Sequence, residues 1–444
     1  MPGEDKAARL SQRLRQTLGS DRARGLAANV SAVMLTSGAR AYSVLANMVA
    51  LILTARWLGP DGRGAVVVVT TWVLLFSSLG HLSLGQVCIH RAAHRTPDSD
   101  WLGDTVAALL LVTAAATGLG WAAAAALYWW GGPALFGRLP PLPLLIGFAA
   151  LPFLLWEQYG SALLTLLGRL GVYNLNQLIS RTLALALMAM TILGLGWGIY
   201  GFLVAYVAGQ MMVAFAGVAV LWRQIGKRPR TRLDSVASLV SDGLKLHLNA
   251  IGVLLFSSAD VLMLQYFRGL GETGIFQLAS QLFMTLLIVP QSALLVLNGK
   301  VGKLDEAALW HEHKHMMAIV MTLMTAGALV LALAAGWIVP LLASDQFAGA
   351  VPILRVLCIG VVAATLNTMM GLQWIVRGLF LQASLLTFAT GAANCLLNLF
   401  LIPRYGAVGA ACATVIGITL IPLAANVAMF VRIERRAALR RAHS

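Results

Sequence analysis

The sequence predicts an all-α polytopic membrane protein, with about twelve transmembrane helices in two pseudo-symmetric six-helix lobes, a parallel repeat, around a central cavity. Three observations carry that prediction. The 444-residue chain is 59% hydrophobic and only 11% charged, with a mean hydropathy of +0.81, whereas soluble domains run at about 45–50% apolar and about 25% charged. Its basic residues divide unequally between the two sides of the predicted spans. Two glycine signatures return in the second half at nearly one spacing.

The spans come first. A hydrocarbon core of about 30 Å takes about 20 apolar residues per helix. On that ruler the first half gives 28–54, 65–90, 104–130, 142–167, 173–195 and 199–222. The second half gives 236–266, 274–298, 316–343, 351–374, 380–402 and 406–431. Gly and Ala interleave along these segments, as in helices that pack on one another through small residues. A membrane barrel is excluded, because its strands would alternate every second residue over about ten positions.

The charge gives the orientation. With the N-terminus in the cytoplasm, 23 Lys and Arg fall in cytoplasmic segments and 5 outside (Arg56, Arg63, Arg138, Arg268 and Arg404), with four more inside spans. Topology follows Lys/Arg asymmetry in short loops, so both termini are expected in the cytoplasm. The organisation is then a basic segment at 1–27, an N-lobe at 28–222, a basic linker at 223–235, a C-lobe at 236–431 and a basic tail at 432–444. These basic loci suit anionic lipid head groups, so the net charge of +15 does not point to nucleic acid. Leu10, Leu14 and Leu18 recur at helical spacing among arginines, which leaves a surface helix and a disordered tail both open. The first 27 residues lack the apolar stretch and small-residue cleavage site of a signal peptide. Cys88, Cys358, Cys395 and Cys412 all fall in spans without metal-ligand spacing and read as packing residues. No metal site is expected.

The repeat is read from glycines. "ARWLGPDGRG" (55–64) ends the first span, and "YFRGLGETGI" (266–275) ends the seventh, with Gly59 matching Gly269 and Gly64 matching Gly274. "GIYGFLVAYVAG" (198–209) matches "GAVGAACATVIG" (406–417), an offset of 208 against 210. Six spans per copy is even, so both copies enter from one side and the substrate path is expected between them. A tight helix reversal needs positive φ, which glycine adopts freely. Asp61 and Glu272 then sit near the starts of spans 2 and 8, where a helix dipole favours negative charge.

Charges inside spans carry the functional argument. Arg40, Arg181, Lys245 and Glu157 are placed in the middle or cytoplasmic half of the bilayer. Each costs about 2.5–3.5 kcal/mol at the centre, so four facing lipid would approach a whole folding free energy of about 5–15 kcal/mol. They are expected to face a wet cavity or one another. Ser37, Arg40, Ser43, Asn47 and Thr54 stripe span 1; Ser241, Lys245 and Asn249 stripe its repeat partner; Asn174, Gln177 and Arg181 stripe span 5. Thr387, Thr390, Asn394 and Asn398 give span 11 an uncharged polar face. Arg supplies bidentate phosphate contacts and Lys a point charge, so Arg40, Lys245, Arg181, Glu157, Asn47, Asn249 and Asn394 form the expected substrate site for an anionic head group bearing sugars. Asp242 stands three residues before Lys245, leaving a local pair open; Arg355, near an outer end, reads as a gate or snorkelling residue. His81 and His247 could titrate near neutral pH.

"ARWLGPDGRG", the span ending in "SLGHLSLGQVCIHRAA", "SADVLMLQYFRGLGETGIFQLASQL" before Pro290, and "NLFLIPRYGAVGAACATVIG" together resemble the polysaccharide/oligosaccharide flippases of the multidrug/oligosaccharidyl-lipid/polysaccharide exporter superfamily. The likeness covers nearly all of the chain after residue 28, and Asp260 occupies a position typical of that family, read as an inter-helix or gate role. It implies a flippase, not an enzyme, that carries a polyprenyl-diphosphate-linked glycan across a bacterial or archaeal cytoplasmic membrane by alternating access. No cofactor is expected; an H⁺ or Na⁺ coupling ion is left open, as are glycan assembly enzymes as partners alongside membrane lipids. Two alternatives stand: a peptidoglycan precursor (lipid II) flippase, with the same head-group chemistry, and cation-coupled multidrug efflux, which would call for more acidic groups. An external glycan polymerase lacks room, since the connector near 131–141 is the longest outside.

Overall fold

The computed structural model describes the backbone of residues 3–93, 99–225 and 233–442, with side chains described from residue 42 onward except 93–100, 170, 226–235, 246, 248–249 and 436–444. Arg40, Asn249 and the leucines of the N-terminal segment therefore lie outside the described side chains, as does most of the 223–235 linker.

Among the described residues, nine helices are long and apolar enough to cross a membrane, and a pair bent by 50° makes a tenth. Two of these, Tyr42–Ala92 and Phe380–Arg435, run for 51 and 56 residues. At about 1.5 Å per residue each is more than twice the span a bilayer of about 30 Å requires. Each folds back at a glycine. Gly59 has φ 66° and Gly406 φ 58° inside the helices Gly3–Gly80 and Phe380–Ala442. The Arg63 guanidinium donates to Thr54 Oγ1 at 2.5 Å, a contact that nine residues of straight helix, about 13 Å long, would forbid. Twelve spans result.

Span 1 runs to Gly59 and span 2 from Pro60 to Gly80, continuing as Leu84–Ala93. Span 3 is Ser99–Gly131; span 4 joins Pro141–Phe148 to Leu151–Leu166; span 5 is Leu170–Ala189 with a π-turn Met190–Gly194; span 6 is Gly198–Trp222. The C-lobe repeats the scheme with Leu248–Arg268 (span 7), Leu270–Leu286 with Ile288–Asn298 (span 8), Glu306–Leu342 (span 9), Ala350–Ile359 with Val361–Val376 (span 10), then spans 11 and 12 either side of Gly406.

The repeat extends to backbone angles. Gly59 and Gly269 share extended ψ of −176° at φ 66° and 90°. Gly168 and Gly378, also 210 apart, close spans 4 and 10 at φ 68° and 70°. Both ends carry the same wrap, Arg169 N–H to Leu164 O and Leu379 N–H to Trp374 O. Gly198 and Gly406 match at φ 54° and 58°, but 208 apart. The two extra N-lobe residues fall where span 5 ends in its π-turn, the form a helix takes to absorb an insertion.

One expected span is divided. The stretch 236–266 is interrupted by a turn at His247, between the amphipathic helix Leu233–Leu246 and span 7. Lys245 sits on that helix with its side chain 72% exposed.

Candidate functional site

The lobes meet at both ends of the molecule. At one end, the one expected to face outward, the helix starts of spans 2 and 8 cross at the repeated glycines. A Cβ on Gly64 would lie 1.9 Å from Leu270 O, and one on Gly274 would lie 2.1 Å from Pro60 O and 2.9 Å from Gly64 N. Only glycine permits that approach of backbone to backbone. Gly59 and Gly269 make the reversals; Gly64 and Gly274 make the contact between lobes. At the opposite end Gly243 leaves no room for a Cβ against Leu82 O. Ser83 Oγ stands 3.2 Å from His247 Nδ1, and the His81 and His247 rings meet edge to face at 5.3 Å. Arg91, at the inner end of span 2, donates to Asp242 Oδ2 and Ser238 Oγ, both at 2.7 Å. Arg91, with Lys245 behind it, holds the Asp242 carboxyl below the usual carboxylate range.

Between these contacts lies a cavity of about 450 Å³ in the N-lobe, walled by spans 1, 2, 4, 5 and 6 and by span 8 across the interface. Asn47, Glu157 and Arg181 line it together, as their stripes imply. Gln177 joins the charges: its Nε2 donates to Glu157 Oε1 at 2.5 Å, and its Oε1 accepts from Arg181 Nε at 3.4 Å. Glu157 is thus tied to Arg181 through an amide. The roof is Arg63, 4% exposed, donating to Thr54 of span 1 and to Gln281 Oε1 of span 8 at 2.9 Å. Its Nε has no partner. Gln210, Gln277 and Tyr206 add neutral polar groups. Two arginines against one glutamate leave the chamber positive, with amides suited to sugar hydroxyls and guanidinium groups suited to phosphate.

Sequence reasoning placed Arg63 in an outside loop and missed it. Its signal lay four residues beyond Gly59, one turn into span 2 and on the face that Thr70 shares. Lys245 does not reach the cavity: it pairs with Asp242 at 3.2 Å on the surface, the local alternative. Arg355 donates from Nε to Ala332 O at 3.1 Å, bracing span 10 on span 9. Glu272 accepts from Ala407 N at 3.0 Å and caps span 12 rather than its own helix.

Asn394 lies in a different place, the packed interior of the C-lobe. There Asp260 accepts from Asn398 Nδ2 at 2.5 Å and from Thr414 Oγ1 at 2.6 Å, and Asn398 Nδ2 also bonds Asn394 Oδ1 at 3.0 Å. Asn394 and Asn398 are wholly buried, and Asn398 Oδ1 is unpartnered. Side chains from spans 7, 11 and 12 thus meet in one buried hydrogen-bonded cluster, with the Asn398 amide nitrogen between the Asp260 and Asn394 oxygens. No cation side chain offsets the carboxylate in the bonds Asp260 makes. Among the described residues no three His, Cys, Asp or Glu cluster as metal ligands.

Two like six-helix halves thus touch at both ends, beside a polar chamber in the first of them. The fold is similar to those of solved MOP superfamily proteins. It resembles the lipid II flippase MurJ in an inward closed conformation, with a TM-score of 0.74 at 13% identity over 90% of this chain and 87% of that one. An inward-facing multidrug resistance MATE family transporter gives 0.69 at 15% identity over 90% and 96%. A MOP superfamily transporter from Pyrococcus furiosus gives 0.62 at 16% over 92% and 94%. Residues 28–297 match the polysaccharide biosynthesis protein family, and the chain belongs to that family. No curated protein matches it by sequence.

Proposed function

We propose that the protein is a flippase for a lipid-linked oligosaccharide or polysaccharide, moving a polyprenyl-diphosphate glycolipid from the inner to the outer leaflet by alternating access. The observation that carries this reading is the positive N-lobe chamber in which Arg181, Glu157 and Asn47 converge under Arg63. The diphosphate binds the guanidinium groups, the glutamines take sugar hydroxyls, and the lipid tail stays in the membrane. An inside-negative potential favours the outward step by about 2.3 kcal/mol per negative charge per 100 mV. The protein acts without covalent chemistry, in a bacterial or archaeal cytoplasmic membrane with both termini inside, and glycan assembly enzymes supply its cargo.

The Asp260 cluster supports a coupling cation. Asp260, Asn394, Asn398 and Thr414 offer the oxygen ligands that an alkali ion takes, and the ion would neutralise a carboxylate that burial otherwise penalises. Na⁺ fits this donor set better than a proton alone, because the unpartnered Asn398 oxygen gains a ligand.

The test is glycan export with Arg63→Gln and Arg181→Gln at wild-type expression. Loss of export in both supports the reading; unchanged export in both refutes it. The fold of a lipid II flippase fits the second reading, a peptidoglycan precursor as cargo. Rescue of cells depleted of their own lipid II flippase would decide for that cargo. Cationic drug efflux is disfavoured by two arginines against one glutamate in the chamber.

A further inference from the structure

The inner end of the C-lobe holds a second cavity of about 1090 Å³, apart from the Arg181 chamber. It opens between the loop 301–304, the start of span 9, the end of span 10 and the last turns of span 12. Its wall is apolar, with Trp310, Trp374, Leu379 and Met429 prominent, while Lys314, Arg377 and Arg432 line it as cations against Glu306.

Two of the cations are held in place by neighbours, and the third, Arg432, is exposed beside them. The Arg377 side chain is only 15% exposed and reaches Glu306 at 3.2 Å. It also donates to Gln373 Oε1, and Gln373 Nε2 packs against the buried His313 Nδ1 at 2.6 Å. A guanidinium held from both sides is preorganised for an anion. Lys314 bonds Glu434 at 2.9 Å, where the Trp310 indole N–H also donates at 2.8 Å. Among the described residues no carboxylate pairs with Arg432. Three cations against two carboxylates leave a positive surplus beside an apolar wall. The Lys/Arg distribution puts this end at the cytoplasmic surface, where basic pockets between membrane helices meet anionic head groups.

We propose that this cavity binds an acidic phospholipid of the inner leaflet, its phosphate at Lys314 and Arg432 and its acyl chains along Trp374 and Leu379. A soluble phosphate would use the cations and leave the wall unused. Binding would tie spans 9, 10 and 12 together at their inner ends without touching the cargo chamber.

The experiment measures thermal unfolding of the full-length protein in neutral detergent with added phosphatidylglycerol, phosphatidylcholine or glycerol phosphate. Phosphatidylglycerol is expected to raise the midpoint by at least about 2 °C over phosphatidylcholine, and glycerol phosphate to leave it unchanged. In Lys314→Gln with Arg432→Gln the shift should fall to less than half, while Arg223→Gln, in the linker, keeps it. If the double variant does not fold, Arg432→Gln alone, exposed and without a described partner, must show the reduction. An undiminished shift in these variants overturns the site. An equal shift from phosphatidylcholine overturns the charge argument, and an equal shift from glycerol phosphate reassigns the cavity to a soluble anion.

Discussion

Replacing Gly274 by alanine adds one methyl group where two lobes touch backbone to backbone. That carbon would stand 2.1 Å from Pro60 O, about 1.3 Å inside ordinary contact at 3.4 Å, and 2.9 Å from Gly64 N. No side chain can rotate away, so spans 2 and 8 must part. Overpacking of this kind costs about 1–3 kcal/mol. Alanine also favours the helix itself by about 0.8–1.0 kcal/mol over glycine, so any loss comes from the lobe contact and not from the helix. If the outward-open state is free of that contact, the ratio of outward-open to outward-closed molecules rises about 5- to 150-fold. The assay replaces the four native cysteines, introduces Thr70→Cys in the chamber wall, and times its labelling by a membrane-impermeant maleimide added outside. Gly274→Ala should speed labelling at least about fivefold, and Gly118→Ala, which meets nothing within 4 Å, should not. An outside rate unchanged by Gly274→Ala, in protein that still folds, refutes the assignment of this crossing as the outer closure.

Three further outcomes are expected. Asp260→Asn removes the buried charge while keeping the shape, so the thermal midpoint should no longer respond to Na⁺ and should hold or rise in its absence; a Na⁺ response equal to wild type excludes the cluster as the ion site. Gly59→Ala forces a side chain into a backbone region that is essentially glycine-only, at a cost of about 1–3 kcal/mol, lowering the midpoint by about 1–5 °C; no change would mean the reversal is not held at that residue. The Asp242 carboxyl is held low, so its bond to Arg91 contributes stability above the ordinary carboxylate value of about 3.9 and loses it only as pH falls through the lower folded value. Inner-side labelling of Thr70→Cys, divided at each pH by the rate for the same thiol in unfolded protein to remove the thiolate's own titration, should therefore be flat from about pH 8 to about pH 5 and rise in Asp242→Asn. A steep wild-type response in that window would contradict the assignment.

Hydropathy and glycine spacing were enough to read the spans and their duplication, because both depend on local sequence. Gly59 and Gly269 announce themselves as reversals by type and offset, Asn47 and Arg181 by their stripes, and Glu157 as a charge inside a span. What stayed hidden depends on contacts distant in sequence. Arg63 follows a turn motif, and only the crossing of spans 2 and 8 makes that turn buried. Lys245 lies in an apolar-enough stretch, but the turn at His247 separates it from span 7. Asn394 has the stripe of a cavity residue, and its neighbours Asp260 and Thr414 come from other spans. Glu272 caps a helix 135 residues away, which no periodicity can indicate.

One interior location in the two halves has been put to opposite uses. By the repeat offsets, Asp260, Asn394, Asn398 and Thr414 correspond to Ala50, Ala184, Met188 and Tyr206, and all four of the latter border the N-lobe chamber. Gly209 touches Ala184 as Gly417 touches Asn394. Where one copy has a buried polar cluster, the other borders a chamber, with alanine in place of Asp260 and Asn394. A chimera joining two first halves would carry two hollows and no Asp260 cluster, and one joining two second halves would carry two such clusters and no hollow, so the halves are not interchangeable.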